Sequence, residues 1–165
     1  MVDRTFEPIV KAFSKYWIEY IDSRGFRYGT SDGRTVLEAE DDAAQVATHG
    51  QWRMPTCQEF DELLRDCEWT WTEQKNVDGY MVTSKINGNS IFLPAAGFMK
   101  DAHLLRTGKM GFYWTSSLWA KEPMKASYVG FRKREKCPNV SSKYYQSGEN
   151  STERGFGFTI RAVQP

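Results

Sequence analysis

Histidine is almost missing from this sequence, with His49 and His103 the only two in 165 residues. Neither sits in an HExxH pattern or beside a cysteine pair, so the chain writes no zinc site of the usual spacing. Both are expected to be surface or capping side chains. No apolar run approaches the ~20 residues that a membrane-spanning helix requires, so no membrane span is expected. The opening MVDRTFEPIVKAF lacks the basic segment and apolar block of a signal peptide, and export by a cleaved signal is not expected. An excess of one charge is missing too. Lys and Arg number 22 against 21 Asp and Glu, a formal net charge of +1, which excludes a global attraction to nucleic acid or anionic lipid. No nucleic-acid partner is expected, although a local patch is not excluded.

Cysteine is sparse and odd in number, at three. Cys57 and Cys67 fall at opposite ends of one expected helix, which separates them by ~15 Å at ~1.5 Å per residue. Bridged Cα atoms lie within ~7 Å, so these two cannot pair. A bridge from Cys137 to either stays open, three free and mostly buried thiols being the plainer expectation. Internal repeats and low-complexity tracts are absent as well.

What is present is enough for a core. Hydrophobic residues make up 40% and aromatics 15%, and a chain of this length fits one soluble domain over residues 1–165, needing no staples. Residues 1–29 read as a lead-in, FEPIVKAF, followed by a first strand, YWIEYID, and RGFRYGTSDGRT reads as turns around a short strand. In VLEAEDDAAQVATHG acids crowd the start, alanines fill the middle and Gly50 closes the end, which predicts a helix with Asp41 and Asp42 serving its dipole.

In PTCQEFDELLRDC, Thr56 and Glu59 have the spacing of a capping box, and Pro55 is placed to staple on Phe60. Phe60, Leu63, Leu64 and Cys67 then share one face. From residue 68 the pattern becomes short β-branched or aromatic segments split by turn chemistry such as NGN, TGKMG and SGEN. Two helices followed by a run of strands predict an α+β fold, the helices packed on a mostly antiparallel sheet. The first strand, YWIEYID, and the last, FTIRAV, are expected to pair.

Four motifs occur in order: QWRMPTCQEFDELL, NGNSIFLPAAGF, GFYWTSSLW and GFGFTIRAV. Over about residues 30–163 they resemble the bacterial family called the Fibrobacter succinogenes major paralogous domain, a branch of the C-type lectin-like fold. The resemblance implies two helices, a sheet and a long loop-rich excursion before the last strand. Physical chemistry supports a scaffold role for the motifs themselves. Leu93-Pro94-Ala95-Ala96-Gly97 leaves a strand through a tight bend of small residues, and Trp114 is a natural core anchor.

Similar motifs occur in the variable proteins of diversity-generating retroelements, among them phage receptor-binding and bacterial surface proteins. There the portion after the Tyr-Trp-Ser-Ser motif carries ligand-contacting, rewritten positions, which here implies a ligand-binding region over residues 119–163. The resemblance therefore implies a protein or glycan ligand on a cell surface, a location on a phage virion or bacterial surface, and no enzyme activity.

The residues of that region fit such a role. In ASYVGFR alternation puts Val129 and Phe131 on one face and Tyr128, Gly130 and Arg132 on the other. Pairing of this strand with GFTIRAV would tether the intervening segment, SSKYYQSGEN included, at both ends. Tyr144 and Tyr145 offer amphipathic area at low entropic cost, while Ser147, Asn139 and Asn150 offer adaptable hydrogen bonds. Trp119 and Tyr128 add aromatic anchors, and Arg132 opens the basic run RKREK, which suits a phosphate or an acidic glycan if it is more than a solvated strand end.

A formylglycine-generating oxidase, which shares the fold, needs a pair of late cysteines for copper, and only Cys137 lies in the second half. Calcium-dependent sugar binding needs oxygen ligands where Glu122-Pro123-Met124 supplies a thioether. No cofactor and no metal are expected. An accessory structural domain of the same family is one alternative, and an oxidase of the formylglycine-generating kind is the other.

Overall fold

The computed structural model describes residues 19–21, 27–29, 34–100, 102–118, 125–133, 151–153 and 155–165. Their order is β1 (Glu19–Ile21), β2 (Arg27–Gly29), α1 (Ala43–Thr48), α2 (Cys57–Asp66), β3 (Cys67–Gln74), β4 (Val77–Ser84), β5 (Ser90–Pro94), β6 (Phe98–Lys100), β7 (His103–Leu105), β8 (Met110–Leu118), β9 (Lys125–Arg132) and β10 (Ser151–Glu153). Each of the strand pairs among them is antiparallel, so the fold is α+β, with two helices among the described residues. The expected single sheet is corrected to several small ones, ordered β3-β4-β5, β10-β9-β8, β1-β2 and β6-β7.

The α2 helix starts where its side chains dictate. The Thr56 hydroxyl accepts from the Glu59 N–H, and the Glu59 carboxylate accepts from the Thr56 N–H at 2.8 Å, closing the capping box. Phe60 is buried, and Leu63 and Cys67 pack beside it. At the other end Lys85 serves as a borrowed cap: its N–H donates to the Asp66 carbonyl at 3.0 Å and its ammonium to the Arg65 carbonyl at 3.0 Å.

The first helix is shorter than its sequence suggests. Residues 36 and 37 are extended, Val36 bridging Ser117 and the Leu37 N–H donating to Ser116 at 2.9 Å. The helix begins only at Ala43, because Asp42 takes the cap: its Oδ1 accepts from Ala44 and Gln45, and its Oδ2 from Met54 at 2.8 Å. A carboxylate that binds three backbone N–H groups competes with the helical path for residues around it. The end falls at His49 and Gly50, both left-handed, at φ 53° and 82°.

The β8–β9 pair has a core on each face. Tyr113, Val129 and Phe131 point toward α2 and the β3-β4-β5 sheet, joining Phe60, Tyr80, Val82, Leu93 and Ala95. Trp114 and Ala126 point the other way, toward Leu37, Ala43, Ala44, Met54 and Phe158. Trp114 and Leu93 are fully shielded from solvent, at 0% exposure, as expected of scaffold. The Trp114 ring stacks on Phe158 at 4.4 Å, and Tyr80 and Phe131 meet edge-on at 5.3 Å. Such pairs contribute roughly 0.5–1.5 kcal/mol beyond their buried area.

The last segment corrects a second expectation. Among the described residues β1 pairs with β2, not with FTIRAV. Thr159 instead lies parallel beside Tyr113, its N–H donating to Phe112 at 2.9 Å while its carbonyl accepts from Trp114 at 3.0 Å; Val163 pairs with Arg53. The strand expected to pair with FTIRAV, β9, pairs with β8 and β10. At the bend after β5, Gly97 has φ +73° and a Cβ there would strike the Leu105 carbonyl oxygen, so only glycine fits. Among the described residues no helix is long and apolar enough to cross a membrane.

Candidate functional site

Of the residues singled out for ligand contact, Trp119, Asn139, Tyr144, Tyr145, Ser147 and Asn150 lie outside the described residues. Tyr128 and Arg132 lie within them, both on β9. The structure fixes the frame on which the region hangs. β9 is paired along Met110–Leu118 on one side, and Ser151, Thr152 and Glu153 pair with Ser127, Ala126 and Lys125 on the other. The chain between Lys133 and Ser151 is therefore anchored at both ends to one strand that is itself packed on two cores.

Tyr128 has a structural duty as well as a candidate one. Its half-buried ring lies 5.1 Å from Phe158, 6.0 Å from Phe112 and 6.2 Å from Trp114. It is an edge of the aromatic core around Trp114 and Phe158, on the β9 face opposite Val129 and Phe131, where the sequence suggests a ligand contact. Arg132 is exposed, and its carbonyl accepts from the Tyr80 hydroxyl at 3.4 Å. Burial pushes the phenols of Tyr80 and Tyr113 up from their ordinary value; Tyr113 is held by the Pro94 carbonyl at 2.7 Å. These hydroxyls tie elements together.

The end of the sheet carries positive charge that the linear sequence disperses. Met110 pairs with Arg132, and one step further the Lys133 N–H donates to the Lys109 carbonyl at 3.3 Å. Arg106, in the turn leading to Lys109, accepts from the Lys109 and Met110 N–H groups at 3.1 Å each. Arg106, Lys109, Arg132 and Lys133 are all exposed. Arg132 and Lys133 belong to the basic run seen in the sequence. Lys109 and Arg106 do not, and only the β8–β9 register brings them alongside.

Other chemistry-bearing groups are dispersed. Cys57 and Cys67 are free and half-buried at the two ends of α2, and Cys137 lies outside the described residues. Burial raises the Cys67 thiol above its ordinary value. His49 caps α1 and His103 sits exposed on β7. Glu38, Glu40 and Asp41 place carboxylate oxygens within 4.8 Å of one another; Glu38 is paired with Arg34. No family model matches the chain, and no curated protein and no solved structure compared with it gives a match.

Proposed function

We propose that this protein is a ligand-recognition domain of C-type lectin-like fold, resembling the variable proteins of diversity-generating retroelements and displayed on a phage tail or bacterial surface. The observation that carries this reading is the two-sided packing of β9, with residues 133–151 anchored to that one strand at each end. A stiff support lowers the ordering cost of binding, and the spanning sequence, with Tyr144, Tyr145, Ser147 and Asn150, has the composition of a paratope. In this reading Trp119, Tyr144 and Tyr145 are anchors, Asn139, Ser147 and Asn150 adaptable polar contacts, Arg132 a charged contact, and Tyr128 an aromatic anchor that also packs in the core.

The test is a display of the purified protein against an array of bacterial envelope glycans and surface proteins. The reading predicts a ligand whose capture falls at least tenfold in Tyr144→Ala/Tyr145→Ala while the melting temperature holds. Capture that survives this change, or no capture by any arrayed molecule, would contradict it.

A further inference from the structure

We infer that the Lys109–Lys133 pair, with Arg106 and Arg132 beside it, is a binding site for a polysaccharide that carries repeated carboxylate or sulfate groups. Lys109 and Lys133 face each other across the β8–β9 register, linked by the 3.3 Å backbone hydrogen bond. Like charges directly opposite on paired strands are destabilising. Among the described residues no carboxylate reaches salt-bridge distance of Arg106, Lys109, Arg132 or Lys133. An acid near this turn is Asp78, whose Oδ2 comes within 3.9 Å of where a Cβ on Gly108 would sit. Lys133 instead rests its ammonium 5.8 Å from the Trp71 ring centroid. A bound anion would complement these four exposed cations.

Arg106 adds a second cost at the same place. It is held at φ 64°, a left-handed conformation that a side chain bearing a Cβ adopts only at a cost. Glycine or asparagine is the unstrained choice there, so a cation is kept at the expense of stability. Three features select the polymer. Among the described residues the exposed large apolar side chains include one aromatic, Trp52, and the Trp71 ring beside this patch is faced by the Lys133 ammonium, which leaves base stacking little to work on. Lysine is depleted from protein–protein interfaces, yet supplies half of this cluster. Separated point charges on an exposed sheet end suit anions repeated along a flexible chain, where several weak contacts act together.

The inference rests on reading this end of the molecule as ligand-facing, and the experiment separates the two. The full chain, Lys109→Gln/Lys133→Gln, Arg106→Gly and Tyr144→Ala/Tyr145→Ala are titrated with dextran sulfate, polygalacturonate, neutral dextran, poly-glutamate and a single-stranded oligonucleotide. Expected is salt-dependent binding of dextran sulfate or polygalacturonate, at least tenfold tighter than of the other three probes. It weakens tenfold or more in the lysine double variant, whose melting temperature does not fall. Arg106→Gly binds severalfold more weakly yet melts higher, an outcome that damage to the fold does not produce. Loss in the lysine variant with none in the tyrosine variant supports the site and contradicts the paratope reading. The inference is overturned by absence of polyanion binding, by tighter binding of poly-glutamate or the oligonucleotide, or by lysine-variant binding equal to that of the original chain.

Discussion

Glu59 grips Arg53 through two parallel contacts, Nη1 donating to Oε2 at 2.8 Å and Nη2 to Oε1 at 2.5 Å. The same Oε2 accepts from the Thr56 N–H at 2.8 Å, and the Arg53 backbone pairs with Val163. One carboxylate thus joins the start of α2, the segment before it and the C-terminal segment. The Arg53 guanidinium, helped by the Thr56 donors, holds the Glu59 carboxyl well below the usual range, from 4.5 to about 2. A depressed carboxylate contributes stability that is present above its unfolded value and is lost as pH falls through its folded value. At ~1.4 kcal/mol per pKa unit, with solvent screening of a pair about a third exposed, the contribution comes to about 1–2 kcal/mol. Glu59→Gln is therefore expected to lower the urea-unfolding free energy by about that amount at pH 7. The gap closes between pH 4.5 and about 2; a gap independent of pH would contradict the assignment.

Asp42 is a tie of another kind. Its carboxylate, 2% exposed, accepts from Ala44, Gln45 and Met54. Asp42→Asn keeps an oxygen for one side of this arrangement but turns an NH₂ group, or an empty place, toward the other donors. Leaving a buried donor unsatisfied costs about 1–3 kcal/mol, and Asp42→Ala, which also loses the helix cap, is expected to cost more than Asp42→Asn. Equal midpoints for Asp42→Asn and the original chain in urea would refute this account of the bend.

The two tryptophans on the core face of β3 differ in one bond. The Trp69 indole donates to the Leu63 carbonyl at 2.9 Å. The buried Trp71 indole N–H has no acceptor among the described residues, although its ring meets Tyr80 edge-on at 5.0 Å. Replacing each by phenylalanine removes similar area, so the difference isolates the hydrogen bond. Trp69→Phe is expected to be the more destabilising by about 1 kcal/mol, measured by chemical unfolding; the reverse order would count against it.

Much of the architecture could be read from the sequence wherever a local rule and the tertiary packing agree. The Thr56–Glu59 box, the Phe60 face, the alternation of Tyr128 against Val129 and Phe131, and the buried Trp114 are all local patterns that the fold uses unchanged. What escaped were long-range choices. Nothing in VLEAEDD announces that Val36 and Leu37 will pair with β8, because a short apolar pair at the head of an alanine-rich run satisfies a helix equally well. Likewise FTIRAV has the same alternation whether it joins β1, β9 or β8. For the site, Arg132 and Lys133 stood out as a run, whereas Lys109 and Arg106, lying in an ordinary turn 23 or more positions earlier, become their neighbours only through strand register.

Gly97 marks a place where the fold tolerates no side chain. A Cβ there meets the Leu105 carbonyl oxygen and lies 2.8 Å from the Thr107 nitrogen, at φ +73°. Gly97→Ala is expected to cost more than 3 kcal/mol through combined strain and clash. Because the displaced turn carries Arg106, polyanion affinity should fall with it. A thermal midpoint within a degree or two of the original would show the bend to be softer than its geometry implies.

The central claim is that a doubly packed β9 supports a ligand-recognition segment, and the most direct measurement is capture on an envelope glycan and protein array by three purified proteins. These are the original chain, Tyr144→Ala/Tyr145→Ala, and Gln45→Ala at a half-buried position of α1. The account predicts that one class of arrayed molecule is captured by the original chain and by Gln45→Ala, and at least tenfold less by the tyrosine variant at an unchanged melting temperature. Equal capture by all three would contradict it.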